Sequence, residues 1–247
     1  MAAAPPRFRP VRPRIVAAPL AYEQPTLNKA WEAFVAHIPT ILIIWIATAI
    51  LAALGVGAQL LFTVLGNSLS GVSLGSAIDG SSSTTLGMAL GQLGQIPFSI
   101  LSNLVAVLFA AVPAMYYATG ETITVDRAFR ALMARPWRYL LAGVLFTVVS
   151  VIGFLACILP GIAVALVTPV YVNKIFTTDM PILDAFSSSF QAVYRSENGW
   201  TFVGIELLAG LVVVVVSICT CGIGLLVAPA VASFYVQNAA YRQGVLT

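Results

Sequence analysis

Enzymatic chemistry needs nucleophiles, acids, bases or metal ligands, and this sequence of 247 residues offers few: one histidine, three cysteines and nine acidic side chains. Metal sites draw on clustered His, Cys or carboxylate ligands, yet His37 stands alone and no His-Glu-x-x-His run occurs. Proteolysis within a membrane would require a serine with an embedded histidine, or two embedded aspartates, and neither pair is available. The phosphate-loop pattern G-x-x-x-x-G-K-S/T and the dinucleotide pattern G-x-G-x-x-G are both absent. The expectation is a protein that is not an enzyme and uses no cofactor.

Glu206 is the most informative single residue. It sits in an apolar run six residues past Trp200, about 9 Å along a helix. A carboxylate at that depth is costly and faces a partner or a wet cavity. Two readings follow. Glu206 reaches back to Arg195, Lys174 or Arg138 as a structural pair, or it forms a transport or proton site with Asn173, Lys174 and Arg195. A polar, membrane-deep cavity containing Glu206, Asn173 or Gln95 would favour transport; a dry bundle with grooves beside its surface helices would favour a lipid or partner module. His37 reads as an interfacial polar residue at a helix end or, because imidazole titrates near neutrality, as a proton sensor. Cys157, Cys219 and Cys221 read as a bridged pair plus one in an oxidising compartment, or as buried free thiols acting as small hydrophobes. Gly87-x-x-x-Gly91 has the spacing of a close helix contact, but at the edge of a Ser/Gly-rich loop it reads as incidental.

The elements that must carry these residues follow from composition. Sixty per cent of the residues are apolar and 9% charged, against roughly 25% charged in a soluble domain, so an integral membrane protein is expected. Residues 1–25, rich in proline and carrying Arg7, Arg9, Arg12 and Arg14, read as a disordered basic tail without a signal-peptide core. Its charges serve as topology signals or hold anionic lipid; a nucleic-acid role would need a folded basic surface, which the tail does not offer. Residues 26–243 read as a single transmembrane domain with spans near 38–60, 93–116, 139–159, 161–176, 200–219 and 222–241. The 38 apolar residues 139–176 would reach about 57 Å as one helix, nearly twice the ~30 Å hydrocarbon core. A tight reversal is therefore expected at Pro160-Gly161. All 12 lysines and arginines then fall on one side, and the opposite loops hold only Asp79. Positive loops stay cytoplasmic, which predicts both termini inside, in a bacterial inner membrane.

Three segments on that side repeat: Thr26-Leu-Asn-Lys-Ala-Trp-Glu-Ala-Phe34, Thr124-Val-Asp-Arg-Ala-Phe-Arg-Ala-Leu132 and Pro181-Ile-Leu-Asp-Ala-Phe-Ser-Ser-Ser-Phe190. Each reads as an amphipathic helix in the headgroup layer, with Trp31, Phe129, Phe186 and Trp200 as interfacial anchors. In the second, Val125, Phe129, Leu132 and Met133 share a face, and Asp126 precedes Arg130 by one turn. The predicted fold is all-α and polytopic: six transmembrane helices as three hairpins, each preceded by an interfacial helix, with any repeat axis along the membrane normal.

The segments with Ala-aromatic pairs, Leu159-Pro160-Gly161, and Asp184-Ala185-Phe186-Ser187 through Asn198-Gly199-Trp200 together resemble a bacterial six-span family. That family includes the membrane domain found beside some glycerophosphodiester phosphodiesterases. The resemblance, over about residues 27–242, implies a six-helix membrane fold and no phosphodiesterase chemistry, which belongs to a separate barrel domain. The functional expectation is a non-enzymatic membrane protein that organises lipids or partner proteins, with membrane lipids and other membrane proteins as partners. The alternative is a small-solute or lipid transporter with Glu206 in an embedded site. A third reading, a lipid-active enzyme with Glu206 as base, lacks a second catalytic group.

Overall fold

The computed structural model describes residues 17–72 and 84–246, and these form helices and no strand. Arg7, Arg9, Arg12, Arg14 and Asp79 lie outside the described residues. In chain order the helices are α1 (Leu27–Leu69), α2 (Thr85–Ala106), α3 (Leu108–Thr119), α4 (Val125–Ala134), α5 (Pro136–Ala156), α6 (Ile158–Ala165), α7 (Thr168–Thr177), α8 (Ile182–Arg195), α9 (Gly199–Cys219) and α10 (Ala228–Arg242). Short 3-10 turns occupy Pro19–Tyr22 and Ile223–Leu226.

Among the described residues, five stretches are long and apolar enough to cross a membrane: Leu27–Leu69, Thr85–Thr119, Pro136–Ala156, Ile158–Thr177 and Gly199–Cys219. The sixth expected span, 222–241, is broken. Cys221 and Gly222 take left-handed backbone angles, and a 3-10 turn follows before α10 starts with Pro229 in its first turn. At 15 residues, α10 alone is shorter than the ~20 that a crossing needs. Comparable breaks separate α2 from α3 at Val107 and α6 from α7 before Thr168, so residues Val107, Val167 and Val227 stand at even spacing as the N-caps of α3, α7 and α10.

These three short helices pack on one another and hold a large part of the core, including Leu108, Val112, Tyr117, Val170, Tyr171, Phe234 and Ala240. The longer helices lie outside them. α1 runs with α2, α5 with α6, and α9 with the second 3-10 turn and α10, and most large apolar side chains on α1, α5 and α9 point away from the protein, among them Leu60, Leu61, Ile152, Leu155, Leu208 and Leu211. The α1–α2 contact is built from small residues. A Cβ on Gly66 would meet the Gly87 backbone, one on Gly91 the Thr63 side chain, and one on Gly94 the Phe62 ring. The Gly87-x-x-x-Gly91 spacing is thus a working contact and not incidental.

The chain does fold back between α5 and α6, but at Cys157, which is fully extended (φ −174°, ψ 155°), and not at Pro160-Gly161. Proline is tolerated in the first turn of a helix, where its missing N–H would have no partner, so Pro160 and Gly161 sit inside α6. Gly161 serves the reversal differently: it lies against Gly153, where a Cβ would come within 3.2 Å of the Gly161 Cα.

The repeated segments are partly separate elements. Thr26 and Thr124 cap α1 and α4 by accepting from the N–H of Lys29 and Arg127, whereas α8 starts after Pro181 with no side-chain cap. The first segment is not a distinct interfacial helix but the beginning of α1, which continues through Pro39. The alanines Ala30, Ala128 and Ala185 are all buried, so the backbone of each segment lies close on the core. Residues 17–25, expected within the disordered tail, are ordered: Ala17 and Ala21 are buried, and the Asn238 amide donates to the Ala21 carbonyl at 2.8 Å.

Candidate functional site

Among the described residues, no hydrogen bond or ion pair joins the four residues predicted to form one embedded site. Asn173 on α7 lies in a buried polar network: its amide donates to Gln237 Oε1 and to the Tyr241 hydroxyl, both at 3.1 Å, and Gln237 Nε2 donates to the Pro169 carbonyl at 2.8 Å. Thr177 closes it by donating to Asn173 Oδ1. A buried polar group without a partner costs about 1–3 kcal/mol, so this satisfied network is a tie between α7 and α10. Lys174 donates to the Ser188 hydroxyl, and Arg195 ends α8. Glu206 is half-buried on α9, takes part in none of the ion pairs among the described residues, and keeps Oε2 buried without a hydrogen-bond partner. The expected pairing with Arg195, Lys174 or Arg138 is not made. Burial pushes the Tyr194 phenol up, with the Glu206 charge adding to it; its hydroxyl donates to the Ala163 carbonyl at 2.7 Å.

His37 is fully buried and lies inside α1, not at its end. Its Nδ1 faces the Ala33 carbonyl at 2.6 Å and its Nε2 the Ile123 N–H at 2.9 Å. A carbonyl only accepts and an N–H only donates, so Nδ1 carries the proton and the ring is neutral. Thr40, one turn along α1, donates to the carbonyl of the same Ile123 at 2.8 Å. Tyr116 and Phe234 close on the ring at 5.0 and 5.2 Å between centroids. His37 therefore clamps the α3–α4 loop onto α1, a role invisible in sequence because its partner lies 86 residues away.

Cys157, Cys219 and Cys221 are free thiols, as in the second reading, but exposed and not buried. Of the predicted anchors, Trp31 and Trp200 are exposed while Phe129 and Phe186 are half-buried, packed against the core. The expected Asp126–Arg130 pair is present, on a face away from buried Leu132. Among the described residues no group of three or more His, Cys, Asp or Glu could hold a metal ion.

Two adjoining cavities open between α4, α5 and α7. One, of about 270 Å³, is lined by Ala131, Ala134, Arg135, Thr177, Thr178 and Asp179. The other, of about 120 Å³, is lined by apolar atoms of Val107, Ala142, Gly143, Phe146, Tyr171 and Val172. Tyr139, Ile175 and Phe176 line both, and the Tyr139 and Phe176 rings stack at 4.2 Å where the two meet. Neither cavity contains Glu206, Asn173 or Gln95. The sequence holds a signal for this place: the run Arg135-Pro-Trp-Arg-Tyr139 gathers two cations and two aromatic rings at the start of a span.

Searches against protein-family models, curated proteins and solved structures found no match to this chain.

Proposed function

We propose that this is a non-enzymatic integral membrane protein that organises lipids or partner proteins around its helices. In this reading each broken helix completes a crossing with its neighbour, so six crossings form three hairpin prongs around the α3–α7–α10 core. Both termini lie on the cytoplasmic side of a bacterial inner membrane, as the placement of the lysines and arginines on one side predicts. The observation that carries it is the inversion of surfaces: apolar side chains face outward along α1, α5 and α9, while the buried Asn173–Gln237–Tyr241 group is internally satisfied. Contiguous exposed apolar surface marks a membrane or partner contact, and hydrogen-bonded interior polar groups support rigid packing.

Transport is the second reading, and one observation favours it: the unpartnered Oε2 of Glu206. Reconstitution of the full chain in proteoliposomes separates the two. The expected result is no proton or cation flux above that of empty vesicles, together with a retained lipid shell that differs in composition from the bulk. A flux that is lost in Glu206→Gln would replace the organising role by transport.

A further inference from the structure

We propose that the paired cavities between α4, α5 and α7 bind one anionic phospholipid, with its phosphate at Arg138 and the upper part of one acyl chain in the apolar cavity. This rests on the lipid-organising reading and gives it a site. Charge supplies the first argument. Arg127, Arg130 and Arg135 are each paired with an acid, Glu121, Asp126 and Asp179 respectively, so the carboxylate at the polar cavity is already neutralised by Arg135. Arg138 has no such partner among those ion pairs. One of its guanidinium nitrogens donates to the carbonyl of Thr178, in the wall of that cavity, at 2.8 Å. Its Nε is buried with no hydrogen-bond partner. Beside the wall of the polar cavity there is thus one cation with no acidic partner, and a phosphate oxygen can accept from the terminal guanidinium N–H groups that its bond to Thr178 leaves over, since arginine is the side chain best suited to phosphate.

Depth supplies the second argument. Arg138 stands where amphipathic α4 gives way to apolar α5, beside Trp137, which is 74% exposed. Exposed tryptophans of this kind mark the headgroup level. Gly143 and Phe146 in the apolar cavity follow Arg138 on α5 by about 8 and 12 Å of helix, the direction in which a lipid passes from phosphate to hydrocarbon. An apolar cavity of about 120 Å³ is somewhat smaller than the roughly 150 Å³ that holds a benzene ring. It takes a few methylenes, and the rest of the chain continues along the exposed apolar face of α5.

The test uses the full chain, solubilised from vesicles of mixed phosphatidylglycerol and phosphatidylcholine and read by native mass spectrometry. Two variants probe the two ends of the site. Arg138→Gln removes the phosphate partner. Gly143→Leu fills the apolar cavity at a position where an added Cβ meets nothing within 4 Å, so folding is preserved, with the thermal unfolding midpoint as the control. The expected result is one retained phosphatidylglycerol on the wild type and a loss of about tenfold in retention for each variant, as for removal of one charge-assisted contact. Equal retention by all three proteins would overturn this site while leaving the organising reading intact, because lipid would then be held elsewhere. Absence of retained lipid from every protein would overturn both. Loss in Arg138→Gln alone would overturn the acyl assignment. Displacement of the lipid by glycerol phosphate at equal concentration would show a site for a free phosphate headgroup and not for a lipid.

Discussion

His37 holds the loop between α3 and α4 by two hydrogen bonds that only a neutral imidazole makes together. Replacement by alanine leaves the buried Ile123 N–H without an acceptor and opens a void beneath Tyr116 and Phe234. We expect His37→Ala to cost about 2–4 kcal/mol of stability, the sum of an unmet donor and a cavity, read as a fall in the unfolding midpoint in detergent. His37→Gln, which can still accept from Ile123, is expected to lose less. Glu206 is the contrasting residue: its unusual position was legible from sequence, because a lone carboxylate in an apolar run is conspicuous, but its lack of a partner was not. Pairing is decided by which helices meet, and the arginines of the α4–α5 region found acids and carbonyls closer to hand.

At the scale of elements, α1 and α2 meet through glycines, and their contact depends on how closely the backbones approach. Gly91→Leu drives a side chain into Thr63 and should destabilise the protein by about 1–3 kcal/mol, the usual cost of overpacking. Gly57→Leu on the same helix pair meets nothing within 4 Å and should leave the unfolding midpoint unchanged, so the two melting curves together test the contact. The existence of these helices was legible from their apolar runs. Where they break was not: proline and glycine mark sites of possible reversal, but Pro160 was absorbed into the first turn of α6 while Cys157 took the extended conformation. The interruption at Val107 carries no local signal, since valine is an ordinary residue of an apolar helix, whereas the one at Val167 is followed by Pro169 in the first turn of α7. Both arise where α3 and α7 turn inward to pack on α10.

The whole molecule has a core of short helices and an apolar exterior, with all three cysteines exposed at helix ends. In the six-crossing topology proposed above, Cys157, Cys219 and Cys221 share the side opposite the basic loops. A membrane-impermeant maleimide should label them all from that side. In a background without native cysteines, Glu197→Cys, in the exposed loop before α9, should react only from the other. Labelling of the native cysteines from both sides would break the proposed topology. Composition and hydropathy by themselves determined that the chain is helical and suited to a bilayer, because burying lipid-facing backbone leaves few alternatives to the helix and the 60% apolar content needs an apolar solvent. The Asp126–Arg130 pair was also legible, since it depends on residues within one turn. Only the tertiary structure decided that His37 faces inward, that residues 17–25 are tied to Asn238, and that Arg138 donates to Thr178 in the wall of the polar cavity. Each depends on contacts between distant segments, and a local pattern of residue types carries no information about which distant surfaces will meet.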